Sequence, residues 1–308
     1  MRLAAVFPGQ GSFEVGCTAA WRDDDPDGVL AAVSAASDLD VLAEGGREDT
    51  GRSTRRGQPV LLAASLASWS ALVRAGVRPL LVAGHSLGEY AAASAAGVLP
   101  VPAIARLVAA RGRAMAEACT AAPGGMAAVV RLDPDAVAAL VDEVEGLTAA
   151  NDNAPGQVVV SGDTAALARA RELVDARGGR FLPLDIEGPF HAPAMASAVG
   201  PVRDAAAAET PVDPAVPVVS GSLVRVLRTA AEVVASLVDG ILAPVRWREV
   251  QLLLERQGVT DLVEVGPGRV LAGLAKRTVP GLRVHSAATP DAVRELAGVL
   301  GAGAEASA

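Results

Sequence analysis

Short, unbroken apolar runs alternate with longer mixed stretches over the first part of the chain. The N-terminal run Met1-Arg2-Leu3-Ala4-Ala5-Val6-Phe7 is cut off by Pro8-Gly9-Gln10-Gly11 and reads as a first strand. A second run, 80–83, stops at Gly84, and helices are expected over 59–73, 89–96 and 103–117. Such alternation favours a parallel sheet layered with helices. The span 23–56 is polar, acidic and rich in turn residues, so it is expected to form surface loops and short helices.

The pattern changes after Ala121-Ala122-Pro123-Gly124-Gly125. Strands are expected at 126–131, 147–151, 157–161 and 180–186, with helices at 134–145 and 164–177. This β-α-β-β-α-β order is that of a ferredoxin-like unit inserted into the larger layer. The first pattern then resumes, with strands at 216–220 and 261–265 and helices at 230–239 and 247–257. The boundaries that follow are 1–124 with 188–300 for the large discontinuous unit, 125–187 for the insert, and 301–308 as a low-complexity tail expected to be disordered.

Composition narrows the class. Hydrophobic residues make up 51% of the 308 but aromatics only 3%, so the core must be aliphatic. A formal charge of −8 with no dense basic run argues against nucleic-acid binding. No apolar run reaches the roughly 18 to 20 residues that span a bilayer, and the N-terminal run is too short for a signal peptide, so a cytoplasmic protein is expected. Cys17 and Cys119 suggest neither a disulfide framework nor a metal site, and His85, His191 and His285 are too scattered to suggest ligand pairs. The only lysine, Lys276, lies outside any phosphate-binding loop.

The candidate chemistry sits in "LLVAGHSLGEYAAASAAG", residues 80–97. Gly84-His85-Ser86-Leu87-Gly88 lies between an expected strand and an expected helix, the setting of a nucleophile elbow with Ser86 at its apex. A serine hydroxyl needs a base, and imidazole suits that at neutral pH. His85 adjoins Ser86 on a tight turn and should point away from it, and His285 has no obvious company. His191, in "EGPFHAPAM", lies where the chain leaves the insert, a loop from which a base can reach across a cleft. His191 is therefore the expected base.

Ordered matches over nearly the whole chain make it resemble the malonyl-CoA:acyl-carrier-protein transacylase family, which includes polyketide-synthase acyltransferases. The matching segments include "VFPGQGS" at 6–12, "TRRGQPVLL" at 54–62, "GHSLGEYAAASAAG" at 84–97 and "RLVAARGRAM" at 106–115. They continue with "NDNAPGQVVVSG" at 151–162, "GPFHAPAM" at 188–195, "PVRW" at 244–247 and "VEVGPGRVLAGLAKR" at 263–277. The resemblance implies an α/β fold: a large α/β-hydrolase-like subdomain with a parallel sheet, carrying the inserted ferredoxin-like subdomain.

It also implies a ping-pong acyl transfer in which Ser86 is acylated by malonyl-CoA with His191 as base. The malonyl group then passes to the phosphopantetheine thiol of an acyl carrier protein, and no permanently bound cofactor or metal is implied. The oxyanion would be held by the backbone N–H groups of Gln10 and Leu87, and a carbonyl within 264–267 would orient His191. Arg111 falls where the family binds the free malonyl carboxylate, a role a guanidinium fork suits. Gln58 and Asn151 would support it, while Leu87 and Phe190 match malonyl-selective rather than methylmalonyl-selective relatives.

Phe13 departs from the family pattern P-G-Q-G-S-Q and is expected either to remove a polar contact near the entrance or to give it an apolar wall. Competing readings are an editing acyl-hydrolase, a transferase of larger acyl or aminoacyl groups between carrier proteins, and a catalytically silent docking domain. A monomer is the default expectation.

Overall fold

The computed structural model describes residues 2–305, with side-chain environments through 299. Among the described residues, ten strands form two sheets. The first has the order β10-β9-β1-β2-β7-β8, with β1 at Leu3–Phe7, β2 at Leu81–Gly84, β7 at Val218–Val219, β8 at Val226–Leu227, β9 at Asp261–Glu264 and β10 at Arg283–Ser286. It is parallel except for the antiparallel pair β7–β8. The second is antiparallel, order β4-β5-β3-β6, with β3 at Gly125–Val130, β4 at Thr148–Ala154, β5 at Gln157–Gly162 and β6 at Arg180–Pro183. With helices Pro134–Glu143 and Thr164–Ala176 it makes the β-α-β-β-α-β unit read from the pattern.

The unbroken apolar character of β1 follows from its central place. Leu3, Ala5 and Phe7 face one layer, packed with helices Thr54–Arg74 and Val101–Ala121. Ala4 and Val6 face the other, against Trp247, Val250, Leu271 and Leu274 of helices Trp247–Arg256 and Val270–Thr278. A strand covered on both faces gains nothing from polar alternation. The small sheet divides its faces too. Ala127, Val129, Val158 and Val160 pack on its own helices, whereas Met126, Ala128 and Val159 turn toward the large unit.

Several elements differ from the expected bounds. The helix expected from residue 59 begins at Thr54, because Ser53 caps it by accepting from the Arg56 N–H and Pro59 then forfeits a single bond near the start. Leu80 is outside β2 and 44% exposed. The strand expected at 216–220 shrinks to Val218–Val219, since Pro217 has no N–H to donate. The strand expected through 186 stops at Pro183. The last helix, Pro290–Glu305, carries residues 301–305 of the expected disordered tail, continuing a helix already nucleated despite Gly301 and Gly303; 306–308 lie outside the described residues. No helix among the described residues is long and apolar enough to cross a membrane.

The junction of β2 with the helix Gly88–Ala95 is the tightest contact between the layers. A Cβ on Gly88 would overlap the Phe7 carbonyl, and one on Gly84 would overlap the Gly88 peptide. Gly88→Ala is expected to lower the unfolding free energy in urea by roughly 3 kcal/mol or more, because backbone cannot yield as a side chain can. Gly273→Ala, on an exposed helical face with no atom near the added methyl, should leave stability unchanged or raise it by up to about 1 kcal/mol.

Candidate active site

Parallel register brings three loops to one edge of the large sheet. Phe7 pairs with Gly84 and Val6 with Glu264, so the segments after β1, β2 and β9 leave the sheet at the same level. The carboxyl ends of parallel strands are where open α/β sheets form their binding crevices. Ser86 sits there with φ of 52°, a left-handed conformation that costs energy for a residue with a side chain. The His85 N–H donating to the Phe7 carbonyl at 2.9 Å and the Gly88 N–H donating to the His85 carbonyl at 2.9 Å hold that turn. The sharp turn lifts the Ser86 hydroxyl out of the sheet.

His191 comes from the loop after the insert and is also left-handed, with φ of 54°. Its Nε2 lies 2.8 Å from Ser86 Oγ, and its Nδ1 lies 2.9 Å from the Ala243 carbonyl. The orienting acceptor is thus Ala243, not a carbonyl within 264–267. The Glu264 carbonyl is already taken by the Ala287 N–H at 2.9 Å, while its carboxylate accepts from the Leu271 and Ala272 N–H groups. With Nδ1–H donated to Ala243, Nε2 is free to accept the serine proton. Burial, and then the Arg111 guanidinium, lower the His191 pKa to about 3, so the ring is held neutral.

Arg111 projects from the middle of Val101–Ala121 and is 3% exposed, unlike Arg106 and Arg113 on the same helix, which face solvent. One terminal nitrogen donates to Gln58 Oε1 at 2.7 Å and the other to Ser86 Oγ at 3.2 Å. Its carbon lies 5.2 Å from the centre of the Tyr90 ring. Among the described residues no carboxylate pairs with it, and its Nε–H is buried without a partner. Nε and the Ser86-facing nitrogen form one edge of the fork, the edge a carboxylate takes up with two parallel bonds. Gln58 is fully buried, and its amide nitrogen meets only the Met115 sulfur at 3.6 Å, so its carbonyl is committed to the guanidinium.

The other expected residues gather around a cleft of about 230 Å³ between the two sheets. Gln10, Phe190 and Asn151 line it. The Gln10 side chain clamps the Gly51 and Arg52 carbonyls, and the Gln10 and Leu87 N–H groups have no backbone acceptor. Two unspent donors beside Ser86 fit an oxyanion. Asn151 reaches the site through β4, whose backbone bridges to Val245 just beyond Ala243. Phe13 is not among the residues that line this cleft. It is half-buried against Gly51, in a separate shallow depression beside the cleft.

Further residues complete the site, and of these Asn153, Tyr90 and Glu89 were not singled out in the sequence. His85 turns from Ser86 and places Nε2 2.9 Å from Asn153 Oδ1, with its ring edge-on to Trp247, tying the elbow to the small sheet. Asn153 stands within the matched "NDNAPGQ", but only its spacing from Asn151 on β4 hinted at a use. Tyr90 donates to the Leu237 carbonyl at 2.8 Å, and the buried Glu89 accepts from the Gly221 N–H at 3.1 Å. His285 lies apart, paired with Asp261. Both cysteines are buried, which pushes their thiols up to about 11 and about 12 and leaves them unreactive.

Comparisons with known proteins bear on the chain as a whole. The family profile of the acyl transferase domain matches residues 6–300. The malonyl CoA-acyl carrier protein transacylase of Salmonella typhimurium is 39% identical over 301 residues, covering 95% of this chain and 97% of that protein. The malonyl-CoA:acyl carrier protein transacylase of Xanthomonas oryzae superposes with a TM-score of 0.92 at 38% identity, covering 97% and 99% of the two chains. A type II PKS acyl-carrier protein in complex with its malonyl-transacylase gives 0.90 at 36% identity, covering 95% and 98%.

The neutral imidazole sets a pH test. A histidine whose pKa is depressed keeps its basic form as pH falls and loses it only on passing the lowered value. Modification of Ser86 by phenylmethylsulfonyl fluoride, followed by intact mass, should keep its rate within about twofold between about pH 8 and about pH 5.5. A decline centred near the ordinary histidine value of about 6.5 would show instead that the ring titrates freely.

Proposed function

The chain belongs to the acyl transferase family, and from that premise we propose that it moves a malonyl group from coenzyme A to the phosphopantetheine thiol of an acyl carrier protein. One observation carries the reading. Ser86 Oγ is within hydrogen-bonding reach of both an imidazole and a buried, anion-free guanidinium. The first activates the hydroxyl; the second selects an acyl group that ends in a carboxylate.

In the first half-reaction Ser86 Oγ bonds to the thioester carbon while its proton passes to His191 Nε2. The oxyanion that forms accepts from the Gln10 and Leu87 N–H groups. Collapse breaks the carbon–sulfur bond, and the thiol of coenzyme A leaves with the proton from His191. The second half-reaction runs the same steps backwards, with the carrier's thiol attacking the malonyl-serine ester. Throughout, Arg111 holds the distal carboxylate through Nε and its neighbouring nitrogen, fixing the carbonyl against the nucleophile. Both thiols arrive with the substrates, so this scheme calls on no bound cofactor.

Phe190 lines the cleft together with Ser86 and His191, and its ring leaves little room for a branch next to the carbonyl. Exclusion of one methyl is worth about 1–3 kcal/mol, so malonyl is preferred over methylmalonyl rather than exclusively taken. The catalytic unit is taken as 1–124 with 188–300, and 125–187 as the lobe that closes the cleft. The editing hydrolase lacks support, because a water-accepting site has no use for a buried cation dedicated to the acyl end.

An acyl-CoA panel read as covalent mass shifts on the intact protein tests this. Malonyl-CoA should leave a lasting adduct that a carrier protein removes, and Ser86→Ala should abolish it. Loss of the adduct to water, without a carrier, would favour hydrolysis. Arg111→Ala should cut kcat/KM for malonyl-CoA roughly 100-fold or more while sparing acetyl-CoA, since about 3 kcal/mol is typical of a buried charge-assisted contact. Equal loss for both acyl groups would remove Arg111 from carboxylate recognition.

A further inference from the structure

Three carboxyl groups are deeply buried in the large unit, and two of them have clear compensation. Asp261 is paired with Arg283 and His285. Glu264 accepts two N–H bonds at the start of the helix Val270–Thr278, where the helix dipole favours a negative charge. Glu89 differs. It lies three residues after Ser86, in the first turn of the helix Gly88–Ala95, is 5% exposed, and has only neutral donors, the Gly221 N–H and the Ser236 hydroxyl. No cation touches it.

Arg111 presents the converse case, a buried cation that no carboxylate touches. The two groups feel each other's charge across the Tyr90 side chain, over whose ring the guanidinium lies. An ion buried without a contacting partner is costly, so each lowers the cost of ionising the other. Once an acyl carboxylate takes the free edge of Arg111, that help to Glu89 is cancelled.

Resting on the reading that the cleft takes a malonyl group, we infer that Glu89 is a positioning residue for the substrate carboxylate. When ionised, it competes with that anion for the field of Arg111, and it takes up a proton from solvent when the anion is seated. The other titratable groups near it are Tyr90 on its own helix and Arg111 on the helix Val101–Ala121, with His191 beyond the guanidinium. The turn after β7 brings only Ser220, Gly221 and Ser222, and helix Ala230–Asp239 brings Ser236, its Asp239 being exposed. Burial raises the Glu89 carboxyl to about 7, against the opposing pull of the Gly221 N–H, Arg111 and the Ser236 hydroxyl, so both protonation states are accessible near neutrality.

The sign follows. At low pH Glu89 is neutral and Arg111 is wholly available; as pH rises through the Glu89 titration, affinity for a carboxylate-bearing acyl group falls. Between about pH 6 and about pH 8.5 the KM for malonyl-CoA should rise roughly fivefold, while that for acetyl-CoA, which titrates the same coenzyme phosphates, stays within about twofold. Glu89→Gln keeps an acceptor for Gly221 without the charge, and should flatten the malonyl-CoA profile at its low-pH value.

A second measurement does not depend on how that variant folds. Calorimetric titration of the Ser86→Ala protein in buffers of different ionisation enthalpy should show net proton uptake with malonyl-CoA near neutral pH and none with acetyl-CoA. Equal pH profiles for the two substrates, or equal proton uptake, would overturn the inference while leaving malonyl transfer intact. Absence of any malonyl adduct on the wild-type protein would bring down the underlying reading and the inference with it.

Discussion

The approach of two backbones, Gly88 against the Phe7 carbonyl, governs the site more than any side chain does. That contact exists only because neither Gly84 nor Gly88 carries a Cβ. It sets β2 and its helix flush with β1, so the loop bearing Gln10 and the turn bearing Ser86 leave the sheet side by side. The strain at Ser86, held at a positive φ, is sustained by this packing and by the hydrogen bonds across the turn. A serine hydroxyl lifted into the cleft follows from how closely two strands and a helix can stack.

Around that fixed point the fold assembles the other groups from distant segments. The long helix Val101–Ala121 delivers Arg111 from below, and the helix Thr54–Arg74 brings Gln58 to brace it. The loop leaving the small unit brings His191, and the segment after Ala230–Asp239 brings the Ala243 carbonyl that fixes its tautomer. A carbonyl does here what a carboxylate does in a three-residue relay, orienting the ring without adding a second buried charge. The buried charge is kept for Arg111. A guanidinium without an anion and a carboxyl without a cation, set close together, make the site responsive to the charge of what enters it.

The two sheets have unequal tasks. The large parallel sheet is covered on both faces and serves as a rigid base. The small sheet packs its own helices on one face and presents Met126, Ala128 and Val159 to the cleft with the other. The His85–Asn153 bond and the Asn151–Val245 bridge join the two across the cleft.

Much of this was legible in the residues themselves. Apolar runs ending at Pro8-Gly9 and Gly84 marked the central strands, and the change of period after Gly125 marked the second sheet. Gly-His-Ser-Leu-Gly between a strand and a helix identified the elbow, because that local geometry is encoded locally. Element ends were less legible, since Ser53 as a cap and Pro217 as a missing donor outweigh hydrophobic period at a boundary. What only the tertiary structure decided were meetings between segments far apart in sequence. Nothing in the spacing tells that Ala243 rather than residues 264–267 faces His191, that Phe13 packs on Gly51 instead of the cleft, or that Arg111 is buried where Arg106 and Arg113 are not. Those outcomes depend on which donors and acceptors the sheet has already used, and on which helical face meets the core, and both are fixed only when the layers close.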